Sequence, residues 1–156
     1  MTEETLLTIY SRAWNGHDAR TCADCFAAGA RREYRVVRPC SPSGEGLRVV
    51  RGPDAIAADI GMVMHAVPDL SVEVVSAAYA SDRRLWTEWR LRGTHTEDWD
   101  RWRADGRRIE VLGVSVFRIA NEGFLEERLY WDSAFARGRR DGLPGLRPEG
   151  SVGAPG

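Results

Sequence analysis

Apolar and polar positions along the first third of the chain recur at helical spacing. Leu6, Leu7, Ile9, Tyr10, Ala13 and Trp14 form one apolar stripe. Thr2 stands where an N-cap belongs, Glu3 and Glu4 follow near the positive helix end, and Asn15-Gly16 supplies a stop. Asp18 can cap a second helix over residues 19–28, with Cys22, Cys25 and Phe26 inward and Gly29 ending it. Residues 31–38 read as a strand, 39–46 as a Pro/Ser/Gly loop, and 47–51 as a short strand. Pro53 opens a third helix with Ile56, Ile60, Val63 and Met64 on one side, and Pro68 closes it.

From Leu70 the period changes to two. Strands are predicted over 71–80, 82–96, 107–119 and 124–132, joined by short turns and by a charged loop, 97–106, that holds Trp99 and Trp102. Residues 133–137 suggest a brief helix, and the Gly/Pro/Arg-rich stretch 138–156 a flexible tail. The order predicts one α+β domain over residues 1–137. In it a strongly curved antiparallel sheet wraps around the N-terminal helices and leaves a conical cavity, where a ligand would sit.

The stretch 82–96 carries the richest chemistry. Leu85, Thr87, Trp89 and Leu91 alternate with Trp86, Glu88, Arg90 and Arg92. The first set suits a packed layer. The second places an aromatic, an acid and a base side by side, either lining a polar pocket or forming a solvated ion pair.

Composition narrows the possibilities. All 22 basic residues are arginine and no lysine occurs, which excludes a Schiff-base lysine mechanism. A formal net charge of −1 gives no field that would recruit nucleic acid or an anionic membrane. No apolar run approaches a membrane span and the first residues lack a signal-peptide pattern, so a soluble, cytoplasmic protein is expected. Cys22, Cys25 and Cys40 cannot all pair, and the C-x-x-C falls in a helical pattern, so core packing is its expected role. His17, His65 and His95 are not spaced as metal ligands, and no phosphate-binding glycine loop follows a strand; neither metal nor cofactor is expected.

Four separated motifs bring a family into view: Pro68-Asp69-Leu70, Gly93-Thr94-His95-Thr96, Asp105-Gly106-Arg107, and a last strand ending Tyr130-Trp131-Asp132. With Trp14-Asn15-Gly16-His17-Asp18 after the first helix, the chain resembles the SnoaL-like polyketide cyclase branch of the nuclear-transport-factor-2-like superfamily over about residues 3–135. The resemblance implies a cone that hosts aldol cyclases, isomerases, epoxide hydrolases, cofactor-free hydroxylases and pure binding modules. It also implies a homodimer. Two departures stand out: Glu88-Trp89-Arg90 reverses the epoxide hydrolases' Arg-x-Asp pair, and Leu129 takes the place of their last-strand acid.

On that fold the Trp86, Glu88, Arg90 face is expected to look into the cone. Glu88 or a last-strand acid would remove a proton alpha to a carbonyl, with Arg90, Tyr34 or His95 holding the enolate oxygen. Tyr34 could equally be a core or rim tyrosine, and His95 a turn-stabilising residue. The candidate catalytic residues are thus Glu88, Arg90, His95 and Tyr34, and the candidate ligand contacts Trp14, Trp86, Glu127 and Trp131. Asp132 is assigned a structural role, and Trp99 with Trp102 a lid or a dimer contact. The expected function is cofactor-independent acid/base chemistry, of cyclase or isomerase type, on a small hydrophobic polyketide-like substrate. Epoxide opening, hydroxylation or ligand binding without catalysis are the alternatives.

Overall fold

A computed structural model describes residues 2–36, 47–99 and 103–131. The predicted loop 39–46, Cys40, Trp102, Asp132, the brief helix 133–137 and the tail 138–156 lie outside the described residues. Thr2 caps helix α1 (Glu3–Asn15), its Oγ1 accepting the Thr5 N–H at 3.2 Å. The buried stripe is Leu6, Tyr10, Ala13 and Trp14. Asn15 ends the helix and takes both backbone groups of Val72, one hydrogen bond in each direction at 2.8 Å. That contact covers part of the sheet's outer edge strand, where unpaired backbone would otherwise invite association.

Asp18 caps helix α2 (Ala19–Asp24) by accepting from Thr21 N–H at 2.9 Å. The helix is shorter than its apolar pattern predicts. Cys25 is the C-cap, and strand β1 (Phe26–Val36) starts at once because Phe26 pairs with Phe124 of the last strand. Strand β2 (Leu47–Arg51) precedes helix α3 (Pro53–Ala66), which buries Ile56, Asp59, Ile60, Val63 and Met64. Four long strands complete the fold: β3 (Ser71–Tyr79), β4 (Arg84–Thr94), β5 (Arg108–Ala120) and β6 (Gly123–Trp131).

The sheet order is β2-β1-β6-β5-β4-β3. Neighbours run antiparallel except β1 and β6, which are parallel and set Arg32 opposite Glu127 and Tyr34 opposite Leu129. Register shifts in β1 between positions 26 and 31, in β3 between 74 and 76, and in β5 between 118 and 119 bend the sheet. The result is a curved, unclosed six-stranded sheet whose concave face receives the helices, as the α+β cone expectation requires. Its closed end is an aromatic knot: Phe117 stacks on Phe124 at 4.3 Å, and Tyr10 meets both edge-on. No described helix is long and apolar enough to cross a membrane.

Candidate active site

The concave face and α1 enclose a cavity of about 100 Å³. Its walls are mostly apolar and aromatic, with Trp14, Trp89, Trp99 and Trp131 among the lining side chains. Trp99 stacks on Trp131 at 5.8 Å and meets Tyr34 edge-on at 6.4 Å. Set into this surface are Arg32, Glu127, Tyr34, Tyr10, Ser115, Thr87 and His95.

Arg32 is the hub of the polar groups. It comes from β1, is 2% exposed, and lies with its guanidinium carbon 5.5 Å from the Trp14 ring centre and 5.0 Å from that of Tyr34. Its Nε donates to Glu127 Oε2 at 2.7 Å. Its Nη1 donates to Tyr34 Oη at 2.7 Å and to Asp59 Oδ2 at 3.0 Å. The Nη2 group makes no hydrogen bond among the described residues, so two donors remain for a ligand. Burial works against the Arg32 charge. Tyr34, Glu127, Tyr10 and Asp59 outweigh it and hold the pKa well above the ordinary arginine range.

Glu127, also 2% exposed, is fixed from three sides. Tyr10 Oη donates to Oε2 at 3.0 Å, Arg32 Nε reaches the same oxygen, and Ser115 Oγ donates to Oε1 at 2.9 Å. Of roughly four acceptor positions on a carboxylate, one on Oε1 is left. Burial, reinforced by the Glu127 charge, raises Tyr10 well above the usual tyrosine value, so its hydroxyl stays a donor.

The network runs on in both directions. Trp89 Nε1 donates to Ser115 Oγ at 3.0 Å, and the indole can reach there because position 113 is glycine. A Cβ at Gly113 would lie 2.2 Å from Trp89 Cζ2. At the other end Tyr34 Oη donates to Asp59 Oδ2, and Arg48 Nη2 sits 2.8 Å from Asp59 Oδ1. One chain of contacts thus runs from β4 through β5, β6 and β1 to α3 and β2, with α1 joining it through Tyr10.

His95 belongs to a separate part of the wall. Gly93 lets β4 pass close to the segment after α3, since a Cβ there would stand 2.3 Å from Val67 Cγ1. Asp69 then accepts from Thr94 N–H at 2.6 Å and pairs with its hydroxyl at 2.8 Å. The His95 backbone is held by Arg107 and Gly106, each at 2.9 Å. The ring is 3% exposed and its Nε2 has no hydrogen-bond partner among the described residues. Residues 87 and 95 are separated by roughly 26 Å of extended strand at about 3.3 Å per residue.

The structure brings together Tyr34, Glu127, Trp14 and Trp131, and places His95 on the same cavity. It does not bring in Trp86, Glu88 or Arg90, and the expected orientation of β4 is corrected. The Thr87 and Trp89 face is the concave one; Trp86 is 47% exposed on the other side. Glu88 is exposed and accepts from Ser76 Oγ at 3.3 Å, while Arg90 Nη1 lies 3.5 Å from Glu73 Oε2. Both charges are partnered across the β3–β4 edge because water solvates that face and the helices cover the other. Arg32, Asp59, Tyr10 and Ser115 are site residues that the sequence reading passed over. Among the described residues, no group of three or more His, Cys, Asp or Glu is arranged to hold a metal ion.

Comparison with known proteins places the chain in a family. Residues 7–127 match the SnoaL-like domain, and the chain belongs to that family. No curated protein gives a significant match. Among solved structures, a protein assigned as a SnoaL-like polyketide cyclase from a Jannaschia species is 16% identical, with a TM-score of 0.69 over 85% of this chain and 90% of that one. SalBIII, described as an epoxide hydrolase/cyclase-like enzyme in pyran ring formation in the polyether salinomycin, is 19% identical, with a TM-score of 0.64 over 85% of this chain and 92% of its own. A protein of ketosteroid isomerase-like fold from Catenulispora acidiphila, in complex with trimethylamine, is 16% identical, with a TM-score of 0.69 over 87% of this chain and 91% of that one.

Proposed function

We propose that the protein is a cofactor-independent acid/base enzyme, of cyclase or isomerase type, acting on a small, largely apolar carbonyl compound. One observation carries this reading: a buried carboxylate, Glu127, and a buried arginine, Arg32, whose Nη2 makes no hydrogen bond among the described residues, adjoin in a cavity walled mostly by aromatic and aliphatic groups.

Glu127 Oε1 takes a proton from the carbon alpha to the substrate carbonyl. The C–H electron pair becomes the C=C bond of an enolate, and Arg32 Nη2 holds the oxygen that gains the charge. In isomerisation the proton returns to a different carbon. In cyclisation the enolate carbon bonds to a second carbonyl carbon, and the new alkoxide recovers the proton from Glu127. The aromatic walls hold the reacting carbons in line, which is the larger part of such a step. Membership of the SnoaL-like family and similarity to a protein assigned as a polyketide cyclase support this chemistry.

The test is solvent-deuterium incorporation into 2-tetralone, followed by proton NMR. Wild type is expected to accelerate exchange, and Glu127→Gln to lose about 10²-fold or more of it. Quenching of the cavity tryptophans by the ketone should persist in the variant. Exchange by Glu127→Gln at the wild-type rate overturns the assignment.

A second reading is epoxide opening, favoured by the position of Arg32 between two buried carboxylates, Glu127 and Asp59, and by the similarity to SalBIII. Turnover of a styrene-type epoxide without ketone exchange would select it. A homodimer through the outer sheet face is also inferred, supported by exposed Trp86 and Leu112 there; sedimentation of Trp86→Arg against wild type tests it.

A further inference from the structure

Tyr34 meets the cavity with its hydroxyl proton already committed. Its oxygen touches two groups, and each can play a single part. Arg32 Nη1, 2.7 Å away, can only donate. Asp59 Oδ2 accepts. The Tyr34 O–H therefore points to Asp59, one oxygen lone pair accepts the hydrogen bond from Arg32, and the other lone pair has no donor among the described residues.

Asp59 is well secured for this part. It is 1% exposed on α3, outside the cavity wall, with Arg32 Nη1 donating to Oδ2 at 3.0 Å and the Arg48 charge paired with it, Nη2 lying 2.8 Å from Oδ1, which accepts no hydrogen bond among the described residues. Arg48 comes from β2, has its side chain 42% exposed, and places its guanidinium carbon 5.6 Å from the Tyr34 ring centre. It touches no ligand space itself.

We propose that Asp59, with Arg48 behind it, fixes Tyr34 as a hydrogen-bond acceptor toward the cavity beside the donor Arg32 Nη2, so that the site selects ligands bearing an O–H next to a carbonyl oxygen, such as the enol of a 1,3-dicarbonyl compound. The inference rests on the reading of this cavity as the substrate site. A plain ketone satisfies Arg32 but leaves the Tyr34 lone pair unmatched in an apolar enclosure, which is costly. An enol satisfies both. Burial raises the Tyr34 pKa, Arg32 works against that and Asp59 adds to it, so the phenol keeps its proton at neutral pH. Asp59 and Arg48 are positioning residues here, since each acts through Tyr34.

The experiment compares two probes by tryptophan quenching: 1-phenylbutane-1,3-dione, which enolises, and its 2,2-dimethyl analogue, which cannot. Wild type should prefer the first by about tenfold or more, as one well-placed hydrogen bond provides. Tyr34→Phe should abolish that preference, the affinities for the two probes converging as the unmatched lone pair is removed. Asp59→Asn, whose amide can donate to Tyr34, frees the phenolic proton toward the cavity and should reverse the preference. Should that variant fail to fold, Arg48→Met removes a group outside the wall and is expected to shrink the preference several-fold. Comparing each variant's probe ratio with wild type cancels the steric effect of the methyl groups. Equal affinity of the two probes for wild type, a preference that survives Tyr34→Phe, or no binding of either probe overturns the proposal. A preference that behaves as expected without any ketone exchange upholds it and removes the reaction proposed above.

Discussion

Arg32 and Glu127 face each other across the parallel pair β1 and β6, Nε to Oε2 at 2.7 Å, and neither residue is more than 2% exposed. An ion pair this deep contributes little net stability when intact and is expensive to break. Replacing Arg32 by methionine should cost about 3–5 kcal/mol, because it leaves Glu127 and Asp59 buried without their shared cation. Urea titration followed by tryptophan fluorescence measures the loss. Arg32→Met together with Glu127→Gln should recover part of it.

The close fit of Trp89 over Gly113 sets a second expectation. Gly113→Ala puts a methyl where the indole lies and breaks the Trp89–Ser115 hydrogen bond. A loss of about 1–3 kcal/mol is expected from such overpacking. Trp89→Phe in the same chain should relieve most of the clash, so the two substitutions will be non-additive in a double-mutant cycle.

Cys22 and Cys25 give a pH dependence with a definite sign. Burial pushes the Cys22 thiol to about 12 and the Cys25 thiol to about 11, from an ordinary value of 9.0. In a Cys40→Ser background neither thiol should react with Ellman's reagent at pH 8 until denaturant is added. Because both folded values exceed the unfolded one, their contribution to stability is complete below pH 9 and is lost as pH rises toward 11–12. Melting curves from pH 8 to 11 should show Tm falling only in the alkaline limb.

Asp69 works in the opposite direction. Hydrogen bonds from the Thr94 backbone and hydroxyl hold its carboxyl below the ordinary 3.8. Its contribution is present above that value and is lost as pH falls through the folded one. Asp69→Ala should remove this acid limb and free the turn that carries His95. The His95 Hε1 resonance in proton NMR, with its line width and titration, reports whether the ring leaves its buried position.

Much of the architecture could be read from periodicity. The cap at Thr2, the stop at Asn15-Gly16, Pro53 and the four late strands are local signals, and local signals suffice for them. The helix over 19–28 did not survive past Asp24 because residues 26–30, Phe-Ala-Ala-Gly-Ala, are drawn into a strand by a partner a hundred positions away. Alternation in β4 separated its two faces correctly, and the error was in which face is inward; charge suggested a pocket where curvature had made a solvated back. Asp59 did leave a trace, a lone carboxylate between Ile56, Ile60 and Val63 on an apolar helix side. Arg32 left none. It sits next to Arg31 in the sequence, and only pairing with Glu126 for one and Glu127 for the other tells the surface arginine from the buried one.

The parallel partnership of β1 with β6 has a bearing on how the chain comes off the ribosome. Arg32, Tyr34, Arg48 and Asp59 are all made early, whereas Glu127 belongs to the last described strand. Until that strand emerges, the arginine has only half its counter-charge and the first hairpin has no inner neighbour to dock on. Contacts between residues so distant in sequence form late and slowly. Through most of its synthesis the nascent protein therefore lacks β6 and with it Glu127, so the joining of the two halves of the sheet and the completion of the cavity are one event.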